Sequence, residues 1–298
     1  MKKTIRKKGK WIGYLLYCVL LTVGLLYYRF PSESIAAYLE SVVAKANPRI
    51  LLSLESLRPG FPPSVDLIDA KMSFKEAPQK PLLSVKKFSV RPEAWAFLHG
   101  TQVYHFNVHA YDGDIKGNVR FENLERMDSF TATMQLKEIH IGRHPYLSPL
   151  IGRDVSGVLG GDIVYTGQYN NLIEGVGEGI LNISGGKVQL LQPILGFESL
   201  QFDRLSVKMT LKNKKVALSD VGLQGPAVKG RLSGTIILNN DIPASRLDLR
   251  GTIEPLGGLF GNLKGESNSL KFLRQSLKNL KRSFVIRGTL QNPEFKFI

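Results

Sequence analysis

Cysteine is almost absent from this chain, which has Cys18 as the only one among its 298 residues. Cys18 lies inside a long apolar segment, so the rest of the chain has no thiol for a disulfide bond, a zinc site or covalent catalysis. A domain without cysteine is compatible with an oxidising compartment. The sequence therefore excludes cysteine chemistry from the folded part of the protein.

Histidine is scarce as well, with five residues in the chain. His105 and His109 are four residues apart on a predicted strand, which separates them by about 13 Å, too far to share a metal ion. His140 and His144 would share one face of a helix, but a glycine between them and a proline after them disfavour a helix there. We therefore expect no metal site and no small-molecule cofactor.

The motifs of nucleotide binding and of serine hydrolases are missing too. The glycine-rich residues 175–179 run into a predicted strand, so no helix N-terminus is available to a phosphate. Neither Ser156 nor Ser233 lies in the G-x-S-x-G surround of a nucleophilic serine. We predict that the protein is not an enzyme.

Acidic residues are outnumbered, with 25 Asp and Glu against 40 Lys and Arg and a formal net charge of +15. The excess outside the N-terminal segment is spread along the chain, without the stacking aromatics of a nucleic-acid site. We therefore expect no nucleic-acid partner and a weak attraction to anionic membrane surfaces. The N-terminal basic residues, which determine topology in this interpretation, are Lys2, Lys3, Arg6, Lys7, Lys8 and Lys10.

Residues 11–28 form an uncharged, mostly apolar run, about the ~20 residues that a helix needs to cross a bilayer. Basic residues before such a run stay in the cytoplasm, and aromatic residues at its ends favour the two membrane interfaces. The run therefore predicts a single-pass anchor whose N-terminus is cytoplasmic. The predicted anchor residues include Trp11, Tyr14, Leu15, Leu16, Val19, Leu20, Leu21, Val23, Leu25, Leu26, Tyr27 and Tyr28.

A cleaved signal peptide is the alternative interpretation of this segment. The run is longer than the ~7–15 residues of a signal-peptide core, and no small-residue cleavage site follows it, so retention is favoured. We predict three parts: a cytoplasmic basic segment at 1–10, a transmembrane anchor at 11–30, and a β-rich domain at 31–298 beyond the membrane.

From residue 49 onward, short alternating runs broken by Gly, Pro, Asn and Asp predict a mainly β domain. Helical spacing of apolar residues predicts helices at 32–47, 92–98 and 267–282. The third has a leucine stripe and a basic side, and it either lies on a membrane surface or packs on the sheet. The predicted strands are 49–57, 65–74, 82–90, 101–110, 114–122, 130–138, 155–166, 174–183, 187–191, 202–211, 215–218, 227–238 and 246–253.

Glycine recurs inside the predicted strands of the second half, where residues 155–163 resemble residues 228–236. Because glycine weakens a strand, its repeated use predicts bends, bulges or close approach in a strongly curved sheet. The alternative is that these glycines lie in hairpin turns.

Alternating apolar residues on these strands support two hypotheses. They either line an apolar groove for acyl chains or form a closed core. The candidate groove residues are Val155, Val158, Ile163, Tyr165, Leu232, Thr235 and Ile237.

The order of several segments resembles that of a known family. These segments are the predicted anchor followed by Pro31-Ser32-Glu33, the turn at 59–63 leading into residues 65–70, the glycine-spaced strands, and the ending at 284–295. In this order they are similar to the GspN family of bacterial type II secretion systems and, more distantly, to the AsmA and TamB-like envelope proteins.

The resemblance to GspN implies a non-enzymatic inner-membrane protein whose periplasmic β domain contacts other type II secretion subunits, and it brings no catalytic residues. The more distant resemblance implies a long, curved, mostly antiparallel sheet of AsmA-like architecture with a few short helices. It also implies the alternative function, which is binding or transport of membrane lipid in an apolar groove.

Overall fold

The computed structural model describes residues 3–60, 63–121, 129–144, 154–169, 171–194, 197–256 and 281–298. This part of the chain is mainly β, with a few helices, as the sequence predicts. Residues 267–280 of the third predicted helix lie outside the described residues. Its last residue, Arg282, begins a strand instead.

Three α-helices are described, which we label α1 (Lys3–Tyr28), α2 (Ser32–Ala46) and α3 (Ala94–Leu98). The helices predicted at 32–47 and 92–98 are confirmed, with ends that differ by one or two residues. Asn47 adopts an extended conformation and ends α2 before Pro48, because the residue before a proline disfavours helical backbone. Among the described residues, no helix combines the length and the apolarity that a membrane crossing requires.

The strands form one antiparallel sheet of fifteen strands. From β3 onward each strand pairs with the next along the chain, while β1 and β2 both pair with β3 at one edge and β15 forms the other edge. The strands are β1 (Ile50–Ser53), β2 (Ser56–Gly60), β3 (Ser64–Phe74), β4 (Ala77–Pro92), β5 (Gln102–Ala110), β6 (Gly113–Phe121), β7 (Ser129–His140), β8 (Val155–Gln168), β9 (Asn171–Ile194), β10 (Phe197–Lys212), β11 (Lys215–Gln224), β12 (Val228–Ile237), β13 (Arg246–Pro255), β14 (Arg282–Thr289) and β15 (Pro293–Phe297).

Several strand predictions need correction. The single strand predicted at 49–57 is broken between Ser53 and Ser56, so it forms β1 and β2. The two strands predicted at 174–183 and 187–191 are one strand, β9, because Gly185 takes a left-handed conformation with φ 57° and the strand continues as a bulge. Neither β14 nor β15 was among the predicted strands.

The sheet is a single layer in the described part of the chain. Apart from pairing between neighbouring strands, its main contacts are those of α2 with β1 and β2, of α3 with β5, and of the turn at Ile141–Arg143 with β8. The chain exposes 20903 Å² of surface, whereas a compact protein of this mass would expose about 12,600 Å². The single-layer sheet and the exposed side chains of α1 both contribute to this excess.

Candidate binding face

Apolar residues align across the sheet in register, one from every strand from β3 to β15. We call this set the central row, and each member is the pairing partner of the next. The central row consists of Val65, Val90, Phe106, Gly117, Met134, Ile163, Gly179, Met209, Leu218, Gly234, Leu249, Ile286 and Phe295.

A second row lies two residues along each strand, or three on β11 where a bulge adds a residue, and is also entirely apolar. Since alternate residues of a strand point to the same face, the two rows share one side of the sheet, which we call the apolar face. The second row consists of Leu67, Phe88, Val108, Ile115, Leu136, Gly161, Leu181, Val207, Val221, Leu232, Gly251, Phe284 and Phe297.

A third row flanks the central row on its other side and extends the apolar face to the ends of several strands. It includes two tyrosines, and Tyr165 donates a hydrogen bond of 2.7 Å to the Leu172 carbonyl. Burial raises the pKa of Tyr165, so its hydroxyl stays neutral. The third row consists of Pro92, Tyr104, Val119, Ala132, Tyr165, Gly177, Leu211, Val216, Ile236, Leu247, Gly288 and Pro293.

The opposite side of the sheet, which we call the polar face, has a different composition. One of its rows contains a single apolar residue, Ile180, among charged, amide and hydroxyl side chains. Its members in register are Asp66, Ser89, Asn107, Lys116, Gln135, Asp162, Ile180, Lys208 and Asp220. The contrast between the two faces is therefore continuous over most of the sheet.

Glycines on the apolar face lie opposite large side chains. The Phe202 ring covers Gly186, Met209 covers Gly179, and the Tyr165 ring lies within reach of Gly177. Large side chains thus lie flat over the glycines, which keeps the surface shallow and fills the space that a Cβ would need. The glycines are mid-strand, so the hairpin-turn alternative does not apply to them. The strong curvature of the sheet stays a prediction.

The candidate groove residues divide between the two faces. Val155, Ile163, Tyr165 and Leu232 lie on the apolar face. Val158 pairs with His140 and Ser184 on the polar face. Thr235 and Ile237 are also on the polar face, where Ile237 is 54% exposed. Residues Val158, Thr235 and Ile237 therefore cannot line the same groove as the other four.

The side chains of the apolar face are mostly half-buried by their own neighbours. Leu249 of the central row is buried, whereas Phe295 at the β15 edge is 53% exposed. A closed core would require a second layer against this face, and no described element outside the sheet makes an extensive contact with it. Among the described residues, the apolar face is therefore not covered by a second layer.

One group of aromatic rings on the apolar face extends from β5 to β8. Tyr104, Phe121, Phe130 and Tyr165 form a chain across four strands, with successive ring centroids 6.1, 6.1 and 5.6 Å apart. Such edge-to-face and tilted pairs add about 0.5–1.5 kcal/mol each beyond burial. They stabilise the middle of the sheet without help from a second layer.

Comparison with protein-family models, with curated proteins and with solved structures gave no significant match. The resemblance to GspN and to the AsmA-like group therefore stays a prediction from the sequence.

The polar face has a shallow depression of about 690 Å³ over β3 to β8. Its lining includes Arg91, His105, Lys116 and Asp162, and His105 lies 3.0 Å from the Glu93 carboxylate. Within the described ranges, no three His, Cys, Asp or Glu side chains are placed to hold a metal ion. The depression thus has mixed charge and no constellation of a defined reaction.

An ion pair on the polar face gives a pH-dependent prediction. Asp66 lies 2.8 Å from Lys87. Burial raises the pKa of Asp66, but hydrogen bonds from Lys87 and Ser89 and the charge of Lys87 together outweigh burial and lower it. A lowered pKa in the folded state means that the stabilisation is present above the ordinary value of 3.8 and is lost as the pH falls further.

We expect Asp66→Asn to lower the free energy of unfolding by about 0.5–1 kcal/mol at neutral pH, the typical value of a partly exposed pair. The difference should vanish well below pH 3.8, where the wild-type carboxylate is also protonated. Urea unfolding of both proteins across this pH range checks the expectation. Equal stability at neutral pH would contradict it.

Proposed function

We propose that this protein is a non-enzymatic, membrane-attached envelope protein that binds the acyl chains of membrane lipid on its apolar face. The observation that carries the proposal is the set of three uninterrupted rows on an open, single-layer sheet. A groove for lipid needs such continuity, since a single polar side chain in the middle would have to be desolvated by the ligand.

The size of the face supports the same ligand class. Twelve strand-to-strand steps of about 4.8 Å make the central row about 58 Å long, and three rows span about 20 Å along the strands. The three rows thus cover a footprint of about 1,160 Å² on the sheet. An acyl chain spans about half of the ~30 Å hydrocarbon core, so several chains fit on the face.

The lipid-binding proposal is tested on the full chain, purified in mild detergent and transferred into an amphipathic polymer. Lipids that remain are identified by mass spectrometry after extensive washing with polymer. A second sample is irradiated with a phospholipid that carries a photoreactive group on its acyl chain, and the cross-linked residues are mapped. We expect cross-links on apolar-face residues, and an absence of both retained and cross-linked lipid would refute the proposal.

Membrane attachment through α1 is the second part of the proposal. Every described side chain of this helix from Trp11 to Tyr28 is exposed, and the segment has no charge. Six basic residues precede it. Exposed apolar side chains are stabilised when lipid rather than water surrounds them, and the basic residues would interact with anionic headgroups.

We expect the wild-type chain to stay with bacterial membranes after alkaline carbonate extraction. The Leu16→Arg/Leu20→Arg variant should move largely to the supernatant, because each arginine costs about 2.5–3.5 kcal/mol in the centre of a bilayer. A matched control, Tyr38→Arg/Val42→Arg, places the same two charges on exposed positions of α2 and should stay in the pellet. Release of the wild-type chain by carbonate would contradict membrane integration.

A second candidate function is participation in type II protein secretion through contacts with other secretion subunits. It rests on the sequence resemblance to GspN and on the open edge at β15, which pairs only with β14 among the described strands. Such an edge can accept a strand from a partner protein. Deletion of the protein from its host should then reduce the release of secreted enzymes, and unchanged release would contradict this candidate.

A further inference from the structure

Resting on the proposed lipid-binding function, we propose that the bound lipid has an anionic headgroup and that Arg282 binds this headgroup at one end of the apolar face. The proposal names the class of lipid, which the apolar rows alone do not determine. It depends on where Arg282 lies in the register of the sheet, on its lack of a described ion-pair partner, and on its exposure.

Arg282 is the end of a fourth row on the apolar face. Its direct partner on β13 is Ile253, and it lies two residues before Phe284, whose ring covers Gly251 on the same face. The fourth row consists of Leu159, Ile183, Leu205, Leu223, Gly230, Ile253 and Arg282. Across the four rows, Arg282 is the one charged residue of the described strands.

The guanidinium of Arg282 has no described carboxylate partner. Glu254 follows Ile253, the residue that pairs with Arg282. The Glu254 carboxylate, however, lies on the polar face and is 3.9 Å from the Lys281 ammonium. Other arginines of the neighbouring strands, such as Arg287 with Asp248, are directed to the polar face. Arg282 therefore offers its hydrogen-bond donors to a group that comes from outside the described chain.

The position suits the headgroup of an amphiphile. Arg282 is the first residue of β14 and is exposed, so its aliphatic stem can lie over the apolar face while the charged group stays at the wet end. A lipid whose chains cover Ile253 and Phe284 would place its phosphate near this end. Arginine binds phosphate through two parallel hydrogen bonds. In a zwitterionic headgroup an ammonium group already neutralises the phosphate charge, so an anionic headgroup attracts the guanidinium more strongly.

The test compares two photoreactive phospholipids with identical acyl chains, phosphatidylglycerol and phosphatidylcholine, on the full chain in an uncharged polymer. We expect the wild-type chain to cross-link phosphatidylglycerol about tenfold more efficiently, because the choline of phosphatidylcholine neutralises the phosphate charge that attracts Arg282. Arg282→Gln should reduce phosphatidylglycerol cross-linking to the phosphatidylcholine level and leave phosphatidylcholine unchanged. The matched control is Arg250→Gln. Arg250 lies on the polar face of the adjacent strand β13 and has no described ion pair.

The outcomes separate this inference from the function on which it rests. Equal cross-linking of both lipids by the wild-type chain would overturn the headgroup assignment while lipid binding stands. If the Arg282→Gln variant cross-links neither lipid, the headgroup assignment is overturned too, since the arginine would then support the fold rather than select the headgroup. An equal effect of Arg250→Gln would show that general positive charge attracts the lipid. If the wild-type chain cross-links neither lipid, the result instead refutes the lipid-binding function.

Discussion

Gly161→Ala is expected to lower the free energy of unfolding by about 3 kcal/mol, near the upper end of ordinary single substitutions. Gly161 belongs to the second row of the apolar face and has φ 153°. A Cβ at this position would clash with the Ile180 carbonyl oxygen and lie 2.9 Å from the Leu181 Cα. Both are backbone atoms of the paired strand β9, so a change of side-chain rotamer cannot relieve the clash.

The neighbouring glycine provides a matched control. A Cβ at Gly160 would lie 3.5 Å from the Leu136 carbonyl oxygen, an ordinary contact. We therefore expect Gly160→Ala to change the stability by less than about 0.5 kcal/mol. Thermal unfolding of the three proteins, followed by circular dichroism in one detergent, measures both effects. Similar melting temperatures for Gly161→Ala and the wild type would show that β8 and β9 are not packed as closely as the structure has them.

Met209→Lys is expected to reduce cross-linking of acyl chains to the apolar face by at least about tenfold, since a lysine at the centre of a hydrocarbon layer costs about 2.5–3.5 kcal/mol. Met209 lies in the middle of the central row, between Gly179 and Leu218. Lysine has a similar length and an aliphatic stem, so it can still cover Gly179 and direct its charge outward. The substitution should therefore affect the ligand more than the fold.

Thr210→Lys places the same charge one residue further, on the exposed polar face of β10. We expect this control to retain wild-type cross-linking. Circular dichroism of both variants establishes whether each is folded before the lipids are compared. Equal cross-linking by a folded Met209→Lys variant would contradict binding of acyl chains over the central row.

Local patterns in the sequence were sufficient for the class of fold and for most of the elements. The alternation of apolar and polar residues in 65–74 and 246–253 predicts strands that the structure confirms as β3 and β13. The helical spacing in 32–47 and the proline that follows predict α2 almost to the residue. These signals are local because the backbone conformation of a short segment depends mainly on its own side chains.

Predictions that depended on the face of a strand were less successful. The groove prediction places Val155 and Val158 on one surface, although a separation of three residues puts them on opposite faces of β8. Leu232 and Ile237, five residues apart, are separated in the same way on β12. Strict alternation would have detected both errors, since Ile163 and Tyr165 satisfy it.

The sequence by itself determined that the chain is mainly β, that apolar and polar residues alternate, and that an uncharged apolar segment precedes the strands. Only the tertiary structure decided which residues become neighbours across the sheet. The register between β10 and β11 shifts between Lys208 and Met209, and that between β11 and β12 shifts between Leu218 and Val221. A one-residue shift moves every following side chain to the other face, and the local sequence does not specify where the paired strands compensate for it. The continuous apolar rows, and the position of Arg282 at the end of one of them, arise from these compensating bulges.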